Sequence, residues 1–322
     1  MIKPFTESRH TNLYIMAAEE IGLDFEILDT QRSICKIGNG KKYLLIQNAA
    51  LGINSISACR ISKDKYTTHK FLTKNNIPTP SFCKVFDINY KDQMHNLANN
   101  NFPVVVKPVT GVCGKGVTAN IQNPEELDVA IKIIEDMGKQ RLILEKHIKG
   151  KDYRILVFQG KIIDILERIP AYITGNGNNT VEELILDKNH SRTEKIMPKI
   201  VIDEHLNEFI SLQGYDLKTI PSSGSKIYLR SSCNFSKGGE VRRINIHEVP
   251  KENLHLFKKI QKILFLDHCG IDYISPDIKK PYKEITSGVN EVNYNPGISI
   301  HHFADKLDNI TIPMKILSLY FK

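Results

Sequence analysis

Val104-Val-Val-Lys-Pro-Val-Thr-Gly-Val-Cys-Gly-Lys-Gly-Val117 is the stretch on which the reading of this chain turns. A β-branched run ends in Lys107, Pro108 stops the strand, and Gly111, Gly114 and Gly116 follow with Lys115 among them. Glycines let backbone N–H groups turn towards an anion and lysine adds a point charge, so the loop is a candidate phosphate cradle. The plainer alternative is a hairpin whose glycines serve only the turn. It is not a Walker loop, because counting from Gly111 puts Val117 where that motif needs lysine. Nor does the spacing give the G-x-G-x-x-G of a dinucleotide fold.

Around this stretch, 322 residues suffice for two or three packed lobes. With 41% hydrophobic and 25% charged residues, the composition is that of a soluble globular protein. No apolar run approaches the roughly 20 residues that span a bilayer, which excludes a membrane role. Met1-Ile-Lys-Pro-Phe-Thr-Glu-Ser8 has no apolar core of a secretion signal. The six cysteines are scattered, with no C-x-x-C pair, and read as reduced thiols in the cytoplasm. A net charge of +8 raises nucleic-acid binding, but the basic residues are dispersed and not interleaved with aromatics, so no nucleic-acid partner is expected.

Periodicity predicts a helix over 11–21 and short strands at 25–28 and 43–46, a small α/β unit ending near Arg60. Ser62 opens a helix through Leu72, and the Pro78 and Pro80 segment is extended. Residues 81–149 alternate strand and helix, with strands at 85–86, 103–107 and 141–145. A hairpin follows over 153–158 and 161–168, whose alternating polarity calls for an antiparallel sheet. Thr180-Val-Glu-Glu183 caps a helix, 201–212 and 253–264 read as helices, and 227–230, 270–274 and 289–293 as strands.

Three clusters join the glycine loop. Glu145-Lys-His-Ile148 ends a strand with backbone and side-chain donors, and Asp152 lies four residues beyond Ile148, a set that can bind a purine edge and a ribose. Glu291 and Asn293 are two apart on one strand and face one side; with Asp272 from a paired strand they form an all-oxygen set suited to Mg²⁺. Asp277 is the alternative to Asp272, five residues on and on the opposite face. Arg154, Arg168 and Arg230 each lie near a glycine turn and suit bidentate recognition of carboxylate or phosphate.

In this order, Lys65, Lys107 with its glycine loop, Glu145 to Arg154, Arg230, Asp272 and Glu291-Val-Asn293 resemble the ATP-grasp superfamily, over residues 60–305. The likeness is closest to the ATP-grasp portions of cyanophycin synthetase and of bifunctional glutamate–cysteine ligase/glutathione synthetase. It is carried by Gly150-Lys-Asp-Tyr-Arg154, Arg168-Ile-Pro-Ala171, Gly175-Asn-Gly177, Asn234-Phe-Ser-Lys-Gly-Gly239, Glu291-Val-Asn-Tyr-Asn-Pro296 and His301. The resemblance implies an α+β fold in which two lobes sandwich ATP, over 61–149 and 150–322, behind an N-terminal unit over 1–60.

By the same resemblance Lys65 and Lys107 touch ATP phosphates and Gly111, Gly114, Lys115 and Gly116 cover them. Glu145, Lys146 and Ile148 bind adenine, and Asp152 the ribose. Asp272, Glu291 and Asn293 hold one or two Mg²⁺, with Mn²⁺ as a substitute. Arg154, Asn234, Ser236 and His301 contact substrate, while Arg168, Arg230, Gly238 and Gly239 are the catalytic set, Arg230 and the glycine amides serving an oxyanion. The implied reaction is ATP-dependent carboxylate–amine ligation on an amino acid or short peptide, through an acylphosphate, in a homodimer or tetramer. A nucleotide-binding regulatory protein is the alternative. Ser299 stands where cyanophycin synthetase has arginine, which leaves recognition of the acidic substrate open. Neither the Mur-ligase-like module nor the long N-terminal ligase module of those relatives is found in these residues, so a stand-alone ligase is expected.

Overall fold

The computed structural model describes residues 3–109, 115–192, 197–304 and 310–322. Helix α1 (Arg9–Glu20) precedes strands β1 (Asp24–Asp29), β2 (Ile34–Gly38), β3 (Tyr43–Gln47) and β4 (Ala50–Leu51). Next come α2 (Ile56–Lys63), α3 (Lys65–Lys74), β5 (Cys83–Asp87), α4 (Lys91–Asn99), β6 (Val104–Pro108), β7 (Thr118–Ile121), α5 (Pro124–Asp136) and β8 (Arg141–Lys146). The hairpin β9 (Lys151–Phe158) and β10 (Lys161–Ile169) leads to β11 (Tyr172–Thr174), α6 (Val181–His190), α7 (Glu204–Ser211), β12 (Lys226–Tyr228) and β13 (Glu240–Arg243). The chain closes with α8 (Lys251–Ile263), β14 (His268–Ser275), β15 (Gly288–Asn293), α9 (Ser299–Phe303) and α10 (Thr311–Tyr320).

Every strand pair among the described residues is antiparallel, which makes the fold α+β. Two sheets matter for function: a four-stranded one in the order β5-β8-β6-β7, and a five-stranded one in the order β13-β10-β9-β14-β15. The first packs Val104, Val106, Leu142 and Leu144 against Leu127, Ile131 and Ile134 of α5. One face of the second packs Ile155, Val157 and Ile271 against Phe257 and Ile260 of α8. No described helix is long and apolar enough to cross a membrane.

The cores divide the chain differently from the boundaries expected at 60 and 149. Ala58 of α2 and Leu72 of α3 join the five-stranded sheet's core and not that of the four-stranded lobe. The helix expected from Ser62 is two helices, because Asp64 leaves helical geometry and its carboxylate caps Thr67 N–H at 2.6 Å. Ile312, Ile316 and Leu317 of α10 complete the N-terminal unit's core with Leu13 and Ile15 of α1 and Leu156 and Phe158 of β9. Ala171, Val181, Ile185, Leu206, Ile210 and Ile227 form a separate small core between β10 and β13. Residue periodicity marks which face of an element is apolar, but not which distant element covers it.

Candidate active site

The edge of the five-stranded sheet meets the four-stranded lobe at a cavity lined by Lys65, His69, Lys107, Glu145, Asn290 and Glu291. Lys107 and Glu145 point to the same side of their paired strands and join at 2.6 Å, both nearly inaccessible. Lys65 is the first residue of α3, directly after the Asp64 cap. Burial lowers the Lys65 pKa, Glu291 opposes the shift, and Lys107 adds to it. Glu145 and Glu291 balance the two lysines in this cleft, so an anion such as phosphate would bind by taking a lysine from its carboxylate. Free volume there is about 10 Å³, the space of a single water.

Around the corner, one face of the five-stranded sheet carries a charged ladder. Arg168 stands opposite Asp152, Arg154 opposite Asp272, and Asp272 opposite Glu291. Arg154 Nε donates to Asp272 Oδ1 at 2.5 Å, and Arg168 Nη2 lies 3.1 Å from Oδ2. Burial disfavours the Asp272 carboxylate, but the charges of Arg154 and Arg168 outweigh it and lower its pKa. Asp152 is bound by Arg168 at 2.7 and 2.9 Å, yet burial wins and raises its pKa, helped by the like charge of Asp272. Gly270 makes room for this arrangement: a Cβ there would sit 2.8 Å from Pro296 Cβ and 3.2 Å from Arg154 Cδ. The ladder shifts register at Asp272/Tyr273, where Asn290 is the extra residue; Asn290 Oδ1 lies 3.5 Å from Lys107 Nζ.

Asp272, Glu291 and Asn293 offer the hard oxygens that fit Mg²⁺ sharing its remaining ligands with phosphate. Asn293 Nδ2 lies 3.4 Å from Asp272 Oδ2, so a metal would need the amide oxygen turned inward. Asp277 is outside this set. It accepts from Lys279 N–H at 3.0 Å and lines a shallow pocket with Tyr153 and Glu167 on the sheet's other face.

The remaining expected residues fall in several places. Lys146 Nζ donates to the Asn101 and Phe102 carbonyls at 2.7 and 2.9 Å, and its N–H to Phe82 O, so both donors are engaged within the lobe. Ile148 packs over Gly288 at the start of β15. Arg230 is held by Asp203 at 2.6 Å and Val201 O at 2.9 Å. The Gly238 and Gly239 amides donate to Phe235 O and Asn234 O at 3.1 and 3.2 Å, and the Asn234 side chain accepts from Ser236. Those two amides are therefore not free to stabilise an oxyanion, contrary to expectation, because the turn that places them also uses them. Gly238 has φ +89°, so the turn requires glycine there. His301 is fully buried against Asp164. Lys115 and Gly116 flank β7, while Gly111 and Gly114 lie outside the described residues. Sequence reasoning missed His69 and Asn290. His69 follows Lys65 by one helical turn, a legible signal; the bulge that presents Asn290 left none.

Residues 81–217 match the family of the prokaryotic glutathione synthetase ATP-grasp domain. The fold superposes on a bifunctional glutathione synthetase from Pasteurella multocida with a TM-score of 0.70 and 25% identity, covering 98% of this chain and 44% of that one. The fold is the ATP-grasp fold. It is 31% identical over 299 residues to a cyanophycin synthetase of Geminocystis herdmanii, covering 90% of this chain and 34% of that protein. A bifunctional glutathione biosynthesis protein of Clostridium perfringens is 31% identical over 323 residues, covering 97% of this chain and 41% of that protein. The chain thus spans between a third and a half of the length of these relatives.

Proposed function

We propose that this chain is an ATP-dependent carboxylate–amine ligase that activates an amino acid or short peptide as an acylphosphate. The observation that carries the reading is that Glu291 lines the interlobe cleft with Lys65 and Lys107 and stands opposite Asp272 on the neighbouring strand. Lys65 and Lys107 would bind the triphosphate, Lys107 exchanging Glu145 for phosphate oxygens. Asp272, Glu291 and Asn293 would hold Mg²⁺, which supplies charge neutralisation on the transferring phosphoryl group. Arg154, which stands opposite Asp272 and donates to it, would orient the substrate carboxylate by exchanging part of that pairing. Closure of the lobes would exclude water from the acylphosphate. The named activities of the relatives, cyanophycin synthetase and glutathione biosynthesis, support an amino acid or peptide substrate. We place the enzyme in the cytoplasm, as a homodimer or tetramer.

Screening pairs of amino acids and dipeptides with Mg-ATP for ADP and phosphate release tests this. Release that depends on a carboxylate and an amine together supports ligation. Tight ATP binding with no release from any pair would instead mark a non-catalytic nucleotide-binding protein.

A further inference from the structure

A second buried polar group lies one step along the charged face. Asp164 of β10 stands opposite Leu156 of β9, the next same-face position after Arg154, a step of about 7 Å. Its Oδ2 is 2.8 Å from Nδ1 of His301, and its Oδ1 accepts from Arg243 Nε at 3.0 Å. Arg243 Nη2 also donates to the His301 carbonyl at 2.6 Å, so ring and backbone of this residue are both fixed. With Nδ1–H turned to a carboxylate, Nε2 is left as the acceptor of a neutral imidazole. That Nε2 is buried and has no hydrogen-bond partner among the described residues, an unpaired acceptor of a kind that calls for an explanation.

The location suits the second half of the ligation. His301 lies on α9, directly after the Asn295-Pro296-Gly297 turn that follows Glu291 and Asn293. Phe303 of α9 stacks on Phe235 of the Asn234–Gly239 turn at 5.8 Å, so the helix bridges the metal strand and that turn. The charged and titratable groups around His301 are Asp164, Arg243, Arg154 and His268. Burial lowers the pKa of His301 and Asp164 opposes the shift, which keeps the ring neutral at neutral pH. Helix α9 is five residues long with no side-chain cap, and substrate meets the buried ring only when this short helix shifts.

We propose that His301, oriented by Asp164, is the general base for the incoming amine; this rests on the ligase reading above. The substrate ammonium gives one proton to Nε2, and the freed lone pair attacks the acylphosphate carbon. The C–N bond forms, the C–O bond to phosphorus's oxygen breaks, and phosphate leaves with that electron pair and the amine's second proton. Asp164 faces the resulting imidazolium until its proton passes to water.

The test compares two nucleophiles: each of the common amino acids as amine, and hydroxylamine, which is already unprotonated at neutral pH. His301→Gln is expected to slow amino-acid-dependent ADP release by about 10²–10³-fold and hydroxylamine-dependent release by no more than about threefold. Asp164→Asn should show the same selectivity with a smaller loss. In the unmodified protein, kcat at saturating amino acid should level off above the His301 pKa, not climb to the amine's own. Equal loss with both nucleophiles, no loss with either, or a kcat that climbs to the amine's pKa overturns the assignment. If His301→Gln does not fold, Asp164→Asn and the unmodified protein's profile decide. No ADP release with any carboxylate and hydroxylamine would bring down the ligase reading itself, and this assignment with it.

Discussion

Lys107 and Glu145 form an ion pair of 2.6 Å between adjacent strands, with side chains only 6% and 5% exposed. Removing one partner strands the other charge away from water, so Glu145→Ala should cost about 3–5 kcal/mol of stability. Lys107→Met should weaken ATP binding by about 1.5–3 kcal/mol, the range of a hydrogen bond to a charged group. Combining Lys107→Met with Glu145→Leu should restore stability while leaving ATP binding weak. Urea denaturation and calorimetric titration of the single and double variants measure both. A double variant no more stable than either single would show that the two charges are not coupled.

Glu291 and Asp277 are both carboxylates near β14 and β15, but only Glu291 shares the ladder with Asp272. Glu291→Ala should abolish ADP release while moving stability by less than about 1 kcal/mol, since the side chain is half exposed and fills no core. Asp277→Asn should leave turnover near the unmodified level. Turnover retained in the first, or lost in the second, would reverse the metal assignment.

Gly270 is a glycine for reasons of space. Its backbone is not in the left-handed region, yet a Cβ would press on Pro296 and on Arg154. Gly270→Ala should therefore push Arg154 from Asp272 and destabilise the protein by about 1–3 kcal/mol, with a fall in kcat. Thermal unfolding and ADP release together check it; a variant matching the parent in both would mean that Arg154 has room to spare.

Much of this was legible in the chain because the relevant pairs are strand partners. Glu291 and Asn293 are two apart, so they must share a face, and the β14–β15 pairing brings Asp272 to them. Lys107 ends an unbroken β-branched run, which marks a buried strand. What local sequence cannot reveal is partnership across the fold. Arg168 binds Asp152 because β9 and β10 pair in one register, and a slip of one residue would have separated them. The Gly238 and Gly239 amides looked available because a glycine pair advertises freedom of conformation, not whether its donors are already engaged. The same blindness hid the division of cores: nothing local to α10 says that it covers α1.

His268 supplies a pH prediction. Its ring is fully buried, edge-on to Phe158 at 5.8 Å, with neither ring nitrogen hydrogen-bonded among the described residues. Burial, reinforced by the neighbouring His301 as it takes up a proton, lowers its pKa from 6.5 to about 3. In the unfolded chain this imidazole takes up a proton below pH 6.5, whereas in the folded protein it does not until about pH 3. Its contribution to stability is thus complete above pH 6.5 and is lost as pH falls towards 3. Two pH units of that window correspond to about 2–3 kcal/mol. His10, His69, His147 and His301 are lowered too, chiefly by burial, and add to the slope in the same direction. His268→Leu should accordingly make the loss of stability on acidification shallower by about one proton without abolishing it. Urea denaturation of parent and variant at steps between pH 7 and pH 5 measures the difference, and identical slopes would mean that the buried ring is protonated as readily as a free one.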